Sequence, residues 1–313
     1  MKTTQRKSFA TLALLVAFLL PAASQAEVFR AYLASDGSDA NPCTLAQPCR
    51  LLPAALSAVM SDGEIWMLDS ANYNSSMVTV AKSVTILAVP GAVGSVVAAG
   101  GHAINITAGG LKVVLRNLVV VPLPGGGGIN GLNLTGASQV FIEHSNFSNL
   151  PSAAIYVNGI GSVRVSNTTL RLNGFGMFVE GGGAASVFNS EFHQNQVAGL
   201  HVKSGQMGAD SRVSVTGSLF AGHAKSIWSR GETPGSYASA YVTDCTLDAG
   251  GIALQVESID IAQTRITVNR TMVSNMQTAW HVQGAGAGIY TLGNNVFIQY
   301  ANSTGVLTPM AAQ

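Results

Sequence analysis

One short pattern recurs seven times between Leu118 and Phe297, and it constrains the fold more than any other feature of the sequence. In each copy a small residue precedes a large apolar residue by two places. The large apolar residues lie 22 to 28 residues apart and are Phe147, Leu170, Phe192, Phe220, Leu247, Val273 and Phe297. The small residues are Ser145, Thr168, Ser190, Ser218, Cys245, Thr271 and Asn295. A near-constant period with variable insertions is typical of a solenoid, in which each repeat buries its apolar face against its neighbours.

The sequence between these positions has the periodicity of strands. Apolar residues alternate before each small residue, as at Val140 and Ile142, and an apolar-x-apolar strand follows each large residue. Leucine-rich, ankyrin and tetratricopeptide arrays are excluded because helical spacing is absent, and a propeller blade needs about 40 residues. We therefore expect an all-β, single-stranded parallel β-helix solenoid whose equivalent residues stack about 4.8 Å apart.

The chain begins with a segment typical of a secretion signal. Three basic residues precede an apolar run over residues 9–20 and a small-residue cleavage site at Ser24–Ala26. A membrane-spanning helix needs about 20 apolar residues, so a retained anchor is the weaker alternative. We expect a signal peptide over 1–26 and a secreted or periplasmic protein with no membrane span after cleavage.

Cys43 and Cys49 flank a short loop with the sequence NPCTLAQPC. In an oxidising compartment they would form a disulfide that contributes about 2 kcal/mol to stability. A metal pair is the alternative, but no second Cys or His pair accompanies them at ligand spacing. We therefore expect the disulfide and no metal, and we expect Cys245 to be an inert core residue.

Charged residues are sparse, and this limits the class of partner. Asp, Glu, Lys and Arg make up 10% of the chain, against about 25% in an average globular domain, and the net charge is +1. Such a chain offers no basic field for a nucleic acid. A neutral or weakly charged partner is favoured, and the sequence does not indicate an oligomeric state.

The chain resembles the right-handed parallel β-helix superfamily typified by pectate lyases and polygalacturonases, and most of all the secreted bacterial right-handed β-helix region proteins. The resemblance runs from Glu27 to about Phe297 and includes the segment from YLASDG to DSANY, with its Cys-containing loop and short helix. It implies an N-terminal cap over 27–64, coils over 65–297, and a C-terminal cap or tail over 298–313. We expect an amphipathic helix over Leu51–Met60 to cover the open end of the solenoid.

The outward residues of the second strand form two columns in such a solenoid. Between the apolar residues lie Asn133, Tyr156, Phe178, His201, Trp228, Gln255 and His281. Two places further on lie Thr135, Asn158, Glu180, Lys203, Arg230, Glu257 and Gln283. Aromatic rings beside hydrogen-bonding groups are suited to a sugar, so we expect a substrate-binding face for a polysaccharide or cell-envelope glycan. The alternative is that these residues reflect strand preference and are covered by loops.

Catalysis is a second hypothesis, and an enzyme on this scaffold would be a polysaccharide lyase, an epimerase or a glycoside hydrolase. Lyases and epimerases of the superfamily use a basic residue near an acidic carbon, and Lys203 and Arg230, one coil apart, are the candidate bases because each could depress the pKa of the other. Glu180 and Glu257 lie three coils apart, roughly 14 Å, which is too far to share a calcium ion. We therefore expect no cofactor. A structural or adhesive surface protein is the third hypothesis, since the scaffold alone does not determine function.

Overall fold

The computed structural model describes residues 27–310, and strands make up most of this part of the chain. The expected signal peptide over 1–26 lies outside the described residues. Among the helices of residues 27–310, none has the length and apolar character needed to cross a membrane. In chain order the elements are β1 (Val28–Leu33), α1 (Leu52–Ala58), β2 (Val59–Met67), β3 (Ala71–Asn72), β4 (Val78–Thr79), β5 (Val84–Ala88), β6 (Gly94–Ala98), β7 (Ile104–Ile106), β8 (Lys112–Arg116), β9 (Leu118–Pro122), β10 (Leu132–Leu134), β11 (Gln139–Glu143), β12 (Asn146–Ser148), β13 (Ala153–Asn158), β14 (Ser162–Ser166), β15 (Thr169–Arg171), β16 (Phe175–Glu180), β17 (Ala184–Phe188), β18 (Glu191–His193), β19 (Ala198–Ser204), β20 (Asp210–Thr216), β21 (Leu219–Ala221), β22 (Lys225–Gly231), β23 (Tyr237–Thr243), β24 (Thr246–Ser258), β25 (Gln263–Asn269), β26 (Met272–Gln283), β27 (Ala287–Thr291), β28 (Val296–Thr304) and β29 (Leu307–Pro309).

Within residues 27–310, all strand pairs are parallel and belong to two sheets. The first sheet has 12 strands in the order β1-β2-β5-β8-β11-β14-β17-β20-β23-β25-β27-β29. The second sheet has 17 strands and contains two segments of most coils, a short strand such as β12 and a second strand such as β13. In β24 and β26 these two segments merge into one long strand. The expected parallel β-helix is confirmed.

The large apolar residues of the repeat form one interior column. Phe147 pairs in register with Leu170, Leu170 with Phe192, and Phe192 with Phe220. All four side chains are fully buried, and the rings of Phe192 and Phe220 stack with their centroids 4.3 Å apart. The repeat therefore supplies the core, because each coil places one large side chain directly above the last.

The small residues of the repeat form a hydrogen-bonded ladder along the axis. The backbone N–H of Thr168 donates to Ser190 Oγ and that of Ser190 donates to Ser218 Oγ, each at 3.2 Å. Ser190 Oγ in turn donates to the carbonyl of Phe188 at 2.8 Å. Cys245 occupies the same ladder, where burial raises the pKa of its thiol to about 11, in agreement with the expected inert role.

A second buried ladder lies at the next turn. The backbone N–H of Asn173 donates to Asn195 Oδ1, and that of Asn195 donates to Nδ1 of His223, both at 3.0 Å. The other ring nitrogen of His223 lies 3.1 Å from the carbonyl oxygen of Phe192. His223 therefore takes the place of an asparagine, as a neutral ring protonated on Nε2. Burial lowers its pKa to about 4.

The N-terminal end contains the expected disulfide and helix. Cys43 and Cys49 are joined, and α1 buries Leu52, Ala55 and Leu56. The helix is shorter than the expected Leu51–Met60, because Val59 already begins strand β2. Strand pairing also extends beyond the expected coil bounds of 65–297, since β1 pairs with β2 at one end and β27 with β29 at the other.

Candidate functional site

The outward residues of the second strands are aligned as the sequence predicts. Tyr156 pairs in register with Phe178, Phe178 with His201, His201 with Trp228, and Trp228 with Gln255. Gln255 pairs with His281, and Asn133 pairs with Tyr156 at the other end of the column. Their surface is called the second-strand face below. It presents four consecutive rings on neighbouring strands.

These rings pack against one another along the axis. The centroid of Phe178 lies 5.4 Å from that of Tyr156 and 4.7 Å from that of His201. The His201 centroid lies 4.0 Å from that of Trp228. Phe175 adds a further ring, stacked on His201 at 5.7 Å. The ring faces are therefore largely used in contacts with each other.

The expectation that the whole row is exposed is wrong at its centre. His201 is 3% exposed and Trp228 9% exposed, while Tyr156, Phe178 and His281 are half-buried. Stacking within the row covers one part of these rings, and the Lys225 ammonium lies 3.5 Å from the Trp228 ring centroid. The face therefore offers no flat, open aromatic platform at its centre.

Within residues 27–310, several buried polar atoms on this face have no hydrogen-bond partner. They include Nδ1 of His201, Nε1 of Trp228 and Oε1 of Gln255, all on side chains that are at least nine-tenths buried. Ser226 Oγ is also unpaired, and Arg230 Nε lies 2.9 Å from Glu232 Oε1 without the geometry of a hydrogen bond. Buried polar groups are rarely left unpaired, so such a concentration indicates a place where a ligand or water completes the bonding.

A row of alternating charges borders these atoms. Lys203 Nζ lies 3.0 Å from a Glu232 carboxylate oxygen and 3.7 Å from one of Glu180. Arg230 Nη1 lies 3.7 Å from a Glu257 carboxylate oxygen. Lys203 and Arg230 pair in register on neighbouring strands, and the Glu232 carboxylate forms salt bridges with both of these candidate bases.

Two pKa shifts accompany the packing. Burial, followed by the nearby charges of Lys203, Lys225 and Arg230, lowers the pKa of His201 to about 3, so its ring is neutral near pH 7. Burial, and then a hydrogen bond that its hydroxyl donates to Glu180, raise the pKa of Tyr156 to about 12. Both side chains are therefore neutral near pH 7.

Three residues of this face were missed by sequence reasoning. Glu232 lies two places after Arg230, so continuing the outward alternation past the end of β22 would have found it. Phe175 and Lys225 stand at positions where the alternation along β16 and β22 predicts an inward side chain. The sequence therefore did not indicate that they belong to this face. The pKa of Lys225 is lowered, mainly because its amine is partly buried. Within residues 27–310 this amine forms no salt bridge.

The carboxylates of the face do not converge on a metal. Glu180 and Glu257 are separated by the strands that contain Lys203 and Arg230, as expected, and a cation lies between them. Among the described residues there is no group of three or more His, Cys, Asp or Glu side chains suited to a metal ion. The charges of the row are satisfied mainly by one another.

A groove of about 680 Å³ lies on the outer side of the neighbouring short strands. It contains Arg171 and a pair formed by Glu191 and His193, whose Oε2 and Nε2 atoms are 3.1 Å apart. One of its lining atoms, Asn146 Oδ1, is buried and unpaired. We favour the second-strand face as the candidate site, because it concentrates more unpaired polar atoms and more rings.

Comparison with known proteins identifies the fold. The family described as "Right handed beta helix region" matches residues 96–220 and 130–306. No curated protein matches the chain. Similar solved structures include pectate lyase Pel9A, with 13% identity, a TM-score of 0.52, and coverage of 85% of this chain and 78% of that one. The complex of XylC with xylose has 9% identity, a TM-score of 0.62 and coverage of 86% and 70%. The alginate lyase from Paenibacillus sp. str. FPU-7 has 12% identity, a TM-score of 0.55 and coverage of 90% and 100%.

Proposed function

This chain belongs to the right-handed β-helix region family, and from that premise we propose that it binds an extracellular or cell-envelope polysaccharide through the second-strand face. The proposal depends on one observation, the set of buried and unpaired polar atoms on His201, Trp228 and Gln255. Indole Nε1 is a donor, the glutamine Oε1 is an acceptor, and a sugar hydroxyl can serve both because it donates and accepts. A polyhydroxylated ligand therefore suits this set of atoms.

The electrostatics of the face favour a neutral or weakly charged sugar. Three carboxylates, of Glu180, Glu232 and Glu257, lie among the cations of Lys203 and Arg230. Lys225 adds a third cation beside Trp228. Because the charges balance locally, the face contains polar groups for hydroxyls without a net field for a polyanion. Contact with the sugar would be made by ring edges and the charged row.

The comparisons make carbohydrate the first ligand class to test. Two similar structures are named as lyases of pectate and alginate, and a third is a complex with xylose. A signal peptide over 1–26 and the Cys43–Cys49 disulfide would agree with secretion into an oxidising compartment.

Glycan binding is tested with a glycan array followed by calorimetry on the best ligand. Trp228→Phe removes the indole donor and keeps an aromatic ring, so we expect affinity to fall about three- to tenfold while the chain still unfolds cooperatively. Trp66→Phe is the matched control, since its indole donates to Glu64 on the first sheet. An array without signal, or equal losses in the two variants, would reject the proposed site.

A lyase or epimerase is the second candidate, and one observation redirects it to Lys225. The candidate bases Lys203 and Arg230 are both engaged by carboxylates, whereas Lys225 is half-buried and its pKa is lowered by burial. A base of this kind must be neutral to accept a proton. Lyase action creates an unsaturated product that absorbs in the near ultraviolet. A rise in absorbance on a uronan panel that disappears in Lys225→Met would establish it, and a flat trace would reject lyase action.

A further inference from the structure

The outward face of the first sheet alternates between cations and aromatic rings, strand by strand. From β8 to β25, every second strand presents a basic residue; these are Lys112, Arg164, Arg212 and Arg265. Beside these four cations, β8 also presents Arg116, whose charge is paired with that of Glu143 on β11. Each strand between or after them presents at least one ring; these are Phe141, Phe188, Tyr237, Tyr241 and Tyr290. We call this surface the cation–aromatic track. It extends over eight neighbouring strands and lies on a different sheet from the second-strand face.

The cations of the track lie nearly in line. Lys112, Arg212 and Arg265 occupy equivalent positions on their strands and so form one column along the axis. The strands between them contribute the register partners Gln139, Ser162, Ala184 and Ser239 to the same column. Arg164 lies on β14, two residues after Ser162, and is therefore displaced to one side of this column. With neighbouring strands about 4.8 Å apart, the track presents one positive charge about every 10 Å along the axis.

Three of the four cations are held by rings and not by carboxylates. Lys112 Nζ lies 5.6 Å from the Phe141 ring centroid and the Arg164 guanidinium 4.7 Å from that of Phe188. Arg265 lies 5.3 Å from the Tyr237 centroid. In the described part of the chain these three cations form no salt bridge, whereas Arg212 pairs with the carboxylate of Asp210 and Arg116 with that of Glu143. Their charge is therefore available to an anion.

The track also contains unpaired polar atoms and a depression. Ser239 is fully buried on the outward side of β23, and among the described residues its Oγ has no hydrogen-bond partner. Nε of its register neighbour Arg265 likewise has none there. A depression of about 390 Å³ is lined by Phe141, Glu143, Arg164, Ser166 and Phe188, and its one carboxylate, that of Glu143, is paired with Arg116. An anionic group beside Arg265 would satisfy its guanidinium, and the rings offer apolar surface to the C–H groups of a sugar.

We propose that the cation–aromatic track binds an acidic polysaccharide with one acid group in every two sugars, laid along the solenoid axis. This goes beyond the proposed function, because the surface and the charge class of the ligand are different. Each strand of a DNA duplex has one phosphate about every 3.4 Å along the helix axis, three times denser than the cations of the track, so its charges cannot be matched one to one. An alternating acidic and neutral glycan has widely spaced charges and apolar sugar faces between them.

The test measures the affinity of the full chain for hyaluronan, which has one carboxylate per two sugars, at low and high salt. Neutral dextran and single-stranded oligothymidylate are the comparison ligands. We expect hyaluronan binding that weakens with salt, weaker binding of the oligonucleotide and none of dextran. The double variant R164Q/R265Q should lose at least about tenfold in affinity at low salt.

Matched controls separate this surface from general charge and from the second-strand face. Arg270→Gln removes the same charge from a turn, where Arg270 pairs with Asp244, and should leave affinity unchanged. Trp228→Phe should also leave it unchanged. The proposal is overturned if hyaluronan does not bind, if R270Q loses as much as R164Q/R265Q, or if oligothymidylate binds more tightly. Loss in W228F alone would place the polymer on the second-strand face and likewise overturn it.

Discussion

Nδ1 of His223 accepts a hydrogen bond from the backbone N–H of Asn195, so an imidazole completes a ladder that asparagine side chains begin. The bond requires an unprotonated Nδ1, and burial lowers the His223 pKa from 6.5 to about 4. As the pH falls, the ring takes up a proton near pH 6.5 in the unfolded chain but only near pH 4 in the folded protein. The unfolded state therefore binds more protons between these values, and stability is lost as the pH falls.

His223→Asn should reduce this acid sensitivity. At pH 4.5 the wild-type ring costs about 2 kcal/mol of stability relative to pH 7, whereas asparagine does not titrate and fits the ladder. Urea unfolding at both pH values measures the difference, with His144→Asn, on an exposed turn, as control. Part of the acid loss should remain, because His201 also has a lowered pKa. An equal loss in wild type and His223→Asn would contradict the assignment.

The interior column should be sensitive to cavities. Phe192 is fully buried and stacks on Phe220, so Phe192→Ala should cost about 3–5 kcal/mol in the free energy of unfolding. Val197→Ala, at a position that is 39% exposed, should cost less than about 0.5 kcal/mol. Denaturant unfolding of the two variants compares them directly. Similar small losses in both would show that Phe192 is not part of a packed column.

The hydroxyl ladder predicts opposite effects for two small substitutions. Ser190→Ala leaves the buried N–H of Thr168 without its acceptor and should cost about 1–3 kcal/mol. Cys245→Ser places a hydroxyl where every neighbouring coil already has a polar small side chain, so stability should be unchanged or slightly higher. Thermal unfolding reports both. A destabilised Cys245→Ser would mean that the thiol fits its site better than a hydroxyl.

Glu232 should be energetically coupled to Lys203. Their atoms are 3.0 Å apart and both side chains are about one quarter exposed. A double-mutant cycle with Glu232→Gln and Lys203→Met should give a coupling of about 0.2–1 kcal/mol that decreases at high salt. A cycle between Glu232 and Arg116, which lies on β8 of the first sheet and pairs with Glu143, supplies the control. Zero coupling at low salt would show that the charged row does not act as a unit.

Sequence reasoning predicted the column of the candidate site because outward and inward residues alternate along a strand. Tyr156, Phe178 and His201 therefore had to project from the same face once the coils were stacked. Glu232 was within reach of the same rule, two places after Arg230. The position of Lys225 over Trp228 could not be predicted by this rule, because the alternation places Lys225 on the inner side of the strand. Its side chain reaches the outer surface because Lys225 is the first residue of β22.

The sequence by itself determined that the chain stacks coil upon coil and which residues form the interior, since a repeated apolar position can be buried only against its equivalents. Tertiary structure decided which outward residues meet and which remain accessible. The coils contain insertions of variable length, so the register between neighbouring strands does not follow from a fixed spacing in the sequence. The alternation of Arg164, Phe188 and Arg212 across the first sheet is therefore visible only in the structure. Burial of His201 and Trp228 was likewise decided by packing, because ring stacking between coils is a property of three-dimensional neighbours and not of the chain order.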